Sequence, residues 1–322
     1  MAAHPSHAIG PLPSWNDGPV KTAILEFVAR VSDKDSLGFI PPAERIAVFD
    51  NDGTLWTEQP IYFQLAFAFD RVAAMAKDHP EWENTEPYRS LLHRDPNGLA
   101  AAGEKGIAQI VAQSHAGMTT EEFDQIVRNW LSTARHPNLR RPYTELIFQP
   151  MLELLKFLRA KSFKTFIVSG GGVEFIRVFA EQVYGIPPEQ VVGSSGVVKF
   201  EADADGHVRL IKQPQVEFID DGAGKPVGIN RFIGRRPIFA FGNSDGDLQM
   251  LQYTADSKNP YFIGLLHHTD RAREFEYDIH THAGKLEKAL VEAQARKWTV
   301  VDMRRDWGAV YPPPPDTRNT HH

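Results

Sequence analysis

Cysteine is absent from all 322 residues. That excludes disulfides, thiolate metal sites and thiol nucleophiles, and says nothing of the redox compartment. Also missing is any apolar run long enough to cross a bilayer. The opening stretch, Met1 to Pro19, lacks the apolar core of a secretion signal. No block of Lys and Arg stands out: 35 basic side chains face 41 acidic ones, a net charge of −6. Neither nucleic acid nor an anionic membrane is therefore expected as a main partner. The expectation is a soluble protein of the cytoplasm or periplasm.

What is present is an ordinary globular composition, 42% apolar and 24% charged, in a chain long enough for one or two domains. Residues 1–19 read as an irregular arm. Val20–Val31 has helical apolar spacing, and Pro41-Pro42 punctuates the approach to a strand at Ile46–Phe49. Pro60 is placed for the first turn of a helix running to about Lys77, with Ile61, Leu65, Phe69 and Val72 on one side. Further helices are expected over Leu99–Gln113 and Glu121–Ala134, the second opened by a capping box at Thr119 and Glu122.

Alternation then sets in. A helix at Met151–Arg159 precedes a buried strand at Thr165–Val168, a helix at Gly172–Tyr184 and a strand at Gln190–Val192. Val197–Phe218 reads as a hairpin turning at Asp205-Gly206. Strands at Pro237–Phe241 and Tyr261–Leu266 flank a helix from about Asp247. Strands alternating with helices predict an α/β fold with a Rossmann-like parallel sheet. The helical block at 57–148 interrupts that alternation and is too long for a loop, so it reads as an inserted all-helical domain on a core of 20–56 and 149–310. Residues 311–322, with the Pro312–Pro315 run, read as a frayed tail.

Four segments carry chemistry. In Asp50-Asn51-Asp52-Gly53-Thr54 an apolar strand ends in two acids one residue apart. Residues i and i+2 of an extended chain share a face, so both carboxylates can face one pocket at the strand's carboxyl end. Paired acids suit a divalent cation, or a nucleophile beside an acid/base. Ser169-Gly170-Gly171-Gly172 follows a strand and opens a helix, where small residues admit an anion to backbone N–H groups. Lys225 sits ahead of an expected helix at Val227–Ile233, a single ammonium suited to a phosphate. Gly242-Asn243-Ser244-Asp245-Gly246-Asp247 ends another strand and offers hard oxygen ligands of the kind magnesium takes.

Each segment also has a plainer reading. A calcium loop opening at Asp50 needs Asp or Asn fifth, Gly sixth and Glu twelfth; the chain has Thr54, Leu55 and Ile61. Alone, Ser169–Gly172 reads as a tight turn, Lys225 as a solvated lysine and Asp203–Gly206 as a hairpin turn. His267 and His268 read as structural or surface residues. Trp56 and its aromatic neighbours read as packing by default, with Trp56 the candidate to touch substrate.

Taken in order, the four segments resemble the haloacid dehalogenase-like (HAD) hydrolase superfamily. Within it, the nearest match is the phosphoserine-phosphatase-like group, in which a helical cap of the C1 type follows the first motif. The resemblance implies a phosphatase fed by a small phosphorylated metabolite, with magnesium as cofactor. Asp50 would be the nucleophile that forms an aspartyl phosphate, and Asp52 the acid/base. Thr54, Ser169, Gly170 and Lys225 would hold the phosphoryl group. Asp50, the Asp52 carbonyl, Asn243 and Asp247 would hold the metal, with Asp245 as the alternative to Asp247. One departure matters: the family's fourth motif usually opens Gly-Asp, and here it is Gly242-Asn243. A phosphomutase or phosphotransferase of the same fold stays open, and the uncharged amide leaves open a phospho-ligand-binding protein with weakened catalysis. The second acid, Asp52, counts against a dehalogenase.

Overall fold

The computed structural model describes residues 10–281 and 283–313. The first nine residues of the expected arm and the tail from residue 314 lie outside the described residues. In chain order the elements are α1 (Pro19–Ser32), β1 (Ile46–Phe49), α2 (Phe63–Met75), α3 (Tyr88–Leu92), α4 (Pro96–His115) and α5 (Thr120–Thr133). Then come α6 (Gln149–Ala160), β2 (Lys164–Gly172), α7 (Val173–Tyr184), β3 (Val191–Ala202), β4 (Val208–Phe218) and α8 (Gly224–Gly228). The last are β5 (Phe239–Gly242), α9 (Leu248–Ala255), β6 (Phe262–Thr269), β7 (Glu276–Tyr277), α10 (Lys288–Arg296), β8 (Thr299–Asp302) and α11 (Met303–Asp306).

One sheet runs β4-β3-β2-β1-β5-β6-β7, with β8 also paired to β6. Among the described residues the pairs β1–β2, β1–β5, β2–β3, β5–β6 and β6–β8 are parallel, and β3–β4 and β6–β7 are antiparallel. The chain leaves β1 and returns first on one side, at β2, and later on the other, at β5. Strand order therefore reverses at β1, and the crevice at its carboxyl end is where such sheets bind ligands.

Alternation of side chains assigns each strand residue a face. Ala47, Phe49, Phe239 and Phe241 point to the layer of α1, α6 and α7. Ile46, Val48 and Ala240 point to the layer that holds Met250 and Leu251 of α9 and Ala289 and Ala293 of α10. All four residues of β1 and of β5 are buried, which is why they read as unbroken apolar runs. The expected mixed α/β architecture with a mostly parallel sheet is thus present.

The block between β1 and α6 is helical. Part of it carries its own small core, with Ala68, Val72, Trp82, Tyr88, Leu91 and Ile110 packed together. Phe63, Phe67, Phe123 and Val127 instead join the main core against Phe175 of α7. The capping box at Thr119 and Glu122 is formed as expected.

Pro60 corrects the sequence reading. It lies in the connection before α2, which starts at Phe63 with Tyr62 at its N-cap. The buried stripe of α2 is Phe63, Phe67, Ala68 and Val72, turned from the anticipated Ile61, Leu65, Phe69 and Val72. The reason is physical: residues 56–58 are tied back to the core through the Trp56–Ile147 bridge and a buried Glu58, so the helix cannot begin until the chain has turned outward. Lys225 also lies inside a helix, in the first turn of α8, and the next turn, Ile229–Ile233, widens to a π-helix.

Candidate active site

Strand β1 releases the chain into a tight loop in which the Asn51 carbonyl accepts from the N–H groups of Thr54 (3.2 Å) and Leu55 (2.8 Å). Gly53 has φ +71°, and a Cβ there would collide with Asn243 and Glu58, so glycine is needed for conformation and for space. This loop delivers Asp50, 6% exposed, to the strand end.

The convergence centres on Lys225, 1% exposed. Its Nζ donates to Asp50 Oδ1 (2.6 Å), Asp247 Oδ1 (2.6 Å) and the Val168 carbonyl (2.9 Å). One ammonium thereby joins the end of β1, the middle of β2 next to Ser169, the start of α8 and the loop after β5. Burial alone would lower the lysine pKa, but Asp247 and Asp50 outweigh it and hold the ammonium charged well above its usual range.

The acids are poised differently. Burial, then the proximity of Asp247, pushes the Asp50 carboxyl well above the carboxylate range, against the pull of Lys225. Burial also pushes Asp52 up, to about 6, although the Trp56 indole N–H donates to its Oδ1 (2.8 Å) and favours the ionised form. A carboxyl titrating there can both give and take a proton near neutrality.

The loop after β5 places the remaining residues. Asp247 Oδ2 accepts from the N–H groups of Asn243 (2.9 Å) and Ser244 (3.0 Å), fixing the loop as a small cap. Asn243, 1% exposed, accepts at Oδ1 from the Thr54 hydroxyl (3.0 Å) and donates from Nδ2 to Glu58 Oε1 (2.7 Å). Thr54 is fully buried, its hydroxyl directed to Asn243 and, at 3.4 Å, to Asp50 Oδ2. Asp245 turns away: its Oδ1 accepts from the Glu287 and Ala289 N–H groups (3.0 and 2.8 Å) at the start of α10.

On the β2 side, Ser169 Oγ is buried and accepts from the Gly171 N–H (3.1 Å). Gly170 is exposed, and its carbonyl accepts from the Ser194 hydroxyl (2.8 Å). The Gly172 N–H donates to Gln64 Oε1 of α2 (2.6 Å), so the helical block reaches the glycine turn. Trp56 is fully enclosed, stacked on Phe179 (4.5 Å between centroids) and tilted against Phe63 (4.6 Å). Its contribution to the site is the hydrogen bond to Asp52.

Two further side chains shape the site, of which Glu58 gave no sequence signal of its own. Glu58, 1% exposed, accepts at Oε1 from both Asn243 and the Tyr277 hydroxyl (2.7 Å each). Burial pushes its carboxyl well above the usual range, with Asp52 and Asp50 adding to the shift. His268, 2% exposed, lies between Glu274 (3.0 Å) and the Gly53 carbonyl (2.7 Å), and so pins the first loop. The structural reading of His268 holds, with the loop as what it supports.

Asp50 and Asp247 thus meet a single buried ammonium, with Asp52 and Glu58 within electrostatic reach of the same carboxyl groups, an excess of acidic groups in a place where charge is costly to hide. Asp50 Oδ2, Asn243 Oδ1 and the Asp52 carbonyl are hard oxygen donors of the kind that magnesium takes, and a divalent cation held by them would supply positive charge among these acids. By contrast, Asp203, Asp205 and His207 cluster on the exposed tip of the β3–β4 hairpin. There Asp203 Oδ1 closes the turn by accepting from the Asp205 and His207 N–H groups (3.0 and 2.9 Å).

An open, mostly parallel sheet thus gathers acids from two strand ends onto one buried lysine. The profile described as haloacid dehalogenase-like hydrolase matches residues 47–252, more than half of the chain, and the chain belongs to that family. Among solved structures it is similar to a conserved protein of unknown function from Anaerococcus prevotii DSM 20548. The TM-score is 0.53 at 15% identity, over 88% of this chain and 91% of that one. A protein of unknown function from Bordetella pertussis Tohama I gives 0.49 at 15%, over 81% and 99%. A probable phosphoserine phosphatase from Vibrio cholerae gives 0.40 at 15%, over 88% and 69%. No curated protein matches the chain.

Proposed function

We propose that the chain is a magnesium-dependent phosphohydrolase that cleaves a small phosphate monoester by way of an aspartyl phosphate on Asp50. The observation that carries this reading is the three-way grip of Lys225 on Asp50, Asp247 and the Val168 carbonyl. Lys225 holds Asp50 Oδ1 and so fixes the carboxylate that attacks phosphorus. Asp52, raised to about 6, gives its proton to the leaving oxygen. It then takes one from the water that opens the acyl phosphate, which returns Asp50 and frees phosphate. Ser169 and the Gly170 N–H receive the phosphoryl oxygens beside the Lys225 ammonium. Thr54 acts through Asp50 and Asn243, the groups its hydroxyl meets.

Magnesium would be held by Asp50, the Asp52 carbonyl and Asn243, and supplies the positive charge that lets a carboxylate approach a phosphate dianion. Asp247, whose oxygens are engaged by Lys225 and by the loop backbone, contributes charge rather than a free ligand atom. Residues 57–148 act as a cap over the core of 20–56 and 149–310, excluding water and choosing the leaving group. Gln64 against Gly172 supports that placement. The substrate is a small phosphorylated metabolite, since a lid restricts large ones. No helix among the described residues is long and apolar enough to cross a membrane, and we place the protein in the cytoplasm or periplasm.

Asn243 favours one rival, a phospho-ligand-binding protein with weakened catalysis. A panel of phosphate esters assayed with magnesium decides. Free phosphate, lost completely in Asp50→Asn while the fold is retained, is the expected result. An unchanged rate in that variant removes the nucleophile, ligand binding without turnover selects the rival, and transfer to a second sugar hydroxyl indicates a mutase.

A further inference from the structure

We propose that Glu58 is a positioning residue that sets the orientation of the Asn243 amide, so that its oxygen faces the cation site. The inference rests on the proposed metal site and explains how this chain tolerates an amide where an acid is usual. A carboxylate presents an oxygen whichever way it turns; an amide presents oxygen one way and an NH₂ group the other, and the NH₂ group repels a cation. Something must therefore select the rotamer.

Two side chains touch the amide. The Thr54 hydroxyl can donate or accept, so it suits either orientation. Glu58 Oε1 discriminates: it already accepts from the Tyr277 hydroxyl at 2.7 Å, and it takes Asn243 Nδ2 at the same distance. Nitrogen directed to Glu58 leaves Oδ1 directed to Thr54 and Asp50 Oδ2, which Thr54 itself reaches at 3.4 Å. Both donors meet Oε1 whatever proton the other carboxyl oxygen carries. Glu58 is itself fixed. Cβ atoms at Gly53 or Gly284 would collide with it, and both positions have positive φ, +71° and +68°. Tyr277 is held in register against His268 by the β6–β7 pairing.

The test separates geometry from charge and reads magnesium affinity directly, by titration calorimetry of the full chain with magnesium chloride. Glu58→Asp keeps the charge but withdraws the acceptor by one methylene; it should weaken binding about tenfold or more, as loss of a ligand's supporting partner does. Glu58→Gln presents at full reach an amide that can turn either way, so it no longer tells oxygen from nitrogen and should weaken binding too. In an Asn243→Asp background there is no amide to orient, and Glu58→Asp should cost nothing. The inference is overturned if Glu58→Gln binds magnesium as the parent does. It is also overturned by an equal loss in both backgrounds, by an unaltered Glu58→Asp, or by a parent chain without measurable magnesium affinity. A chain that binds magnesium as described but hydrolyses nothing sinks the proposed function and leaves this assignment standing.

Discussion

Replacing Lys225 with methionine is the sharpest perturbation the structure offers. Methionine matches the length of the stem and removes the ammonium, leaving Asp50 and Asp247 without the cation between them. Both lose a 2.6 Å ion pair, and the Val168 carbonyl loses its donor. Breaking a buried pair by removing one member costs about 3–5 kcal/mol. Native stability is only about 5–15 kcal/mol in total, so the variant should remain folded with a much lower denaturation midpoint.

The deficit should depend on pH. Asp50 is already raised above its ordinary pKa, and Lys225 is the group that restrains it. Without Lys225 its folded pKa rises further above the unfolded value. The protonated native state then gains stability as pH falls towards the unfolded pKa, and loses it as pH rises through the folded one. Urea unfolding with a chelator present, at about pH 5 and about pH 8, should show the deficit shrinking at the lower pH, by about 1.4 kcal/mol for each unit that loss of the ammonium adds to the Asp50 pKa. An equal deficit at both pH values, or one under about 1 kcal/mol, would refute the claim that this ammonium offsets the buried carboxylates.

Other outcomes follow from the same geometry. For alkyl esters, whose leaving oxygen needs a proton, kcat/KM should fall as pH rises past about 6, where Asp52 loses its proton; aryl esters should show a weaker limb. Trp56→Phe removes the hydrogen bond that favours the ionised form, so the limb in pH–rate profiles should move upward, and a stationary limb removes the assignment. Dialysis against EDTA should lower both activity and the melting temperature. Magnesium at about a hundred times its dissociation constant should return about 2.7 kcal/mol, and a melting temperature indifferent to magnesium argues against a cation among these acids.

The parts of the fold legible in the sequence are those where one local signal decides. Strands β1 and β5 are buried on both faces, so they stand out as apolar runs broken by turn residues, and the acids at their ends are conspicuous because they end such a run. The start of α2 was not legible. Pro60 is good chemistry for a first turn, but helix propensity near 57–62 is overridden by tertiary ties: Trp56 to Ile147, and Glu58 to Asn243. Trp56 shows a second limit. Its position beside the loop suggested the pocket, whereas its volume is spent on Phe63 and Phe179 and only the indole N–H reaches the chemistry.

Glu58 marks where single-sequence reading ends. A buried acid looks like any other glutamate until its partners are known, and those partners are 185 and 219 residues away. Yet the chain did contain a clue. Asn243 breaks an otherwise acidic motif, and an amide facing a cation needs a neighbour that tells its oxygen from its nitrogen, a requirement an aspartate does not impose. The search for that neighbour is constrained to acceptors near the first loop, and Glu58, four residues beyond Thr54 on the only connection leaving that loop, is the acid placed to meet it. The departure at Asn243 and the buried Glu58 are therefore one feature, and a change at either position is interpretable only with the other in view.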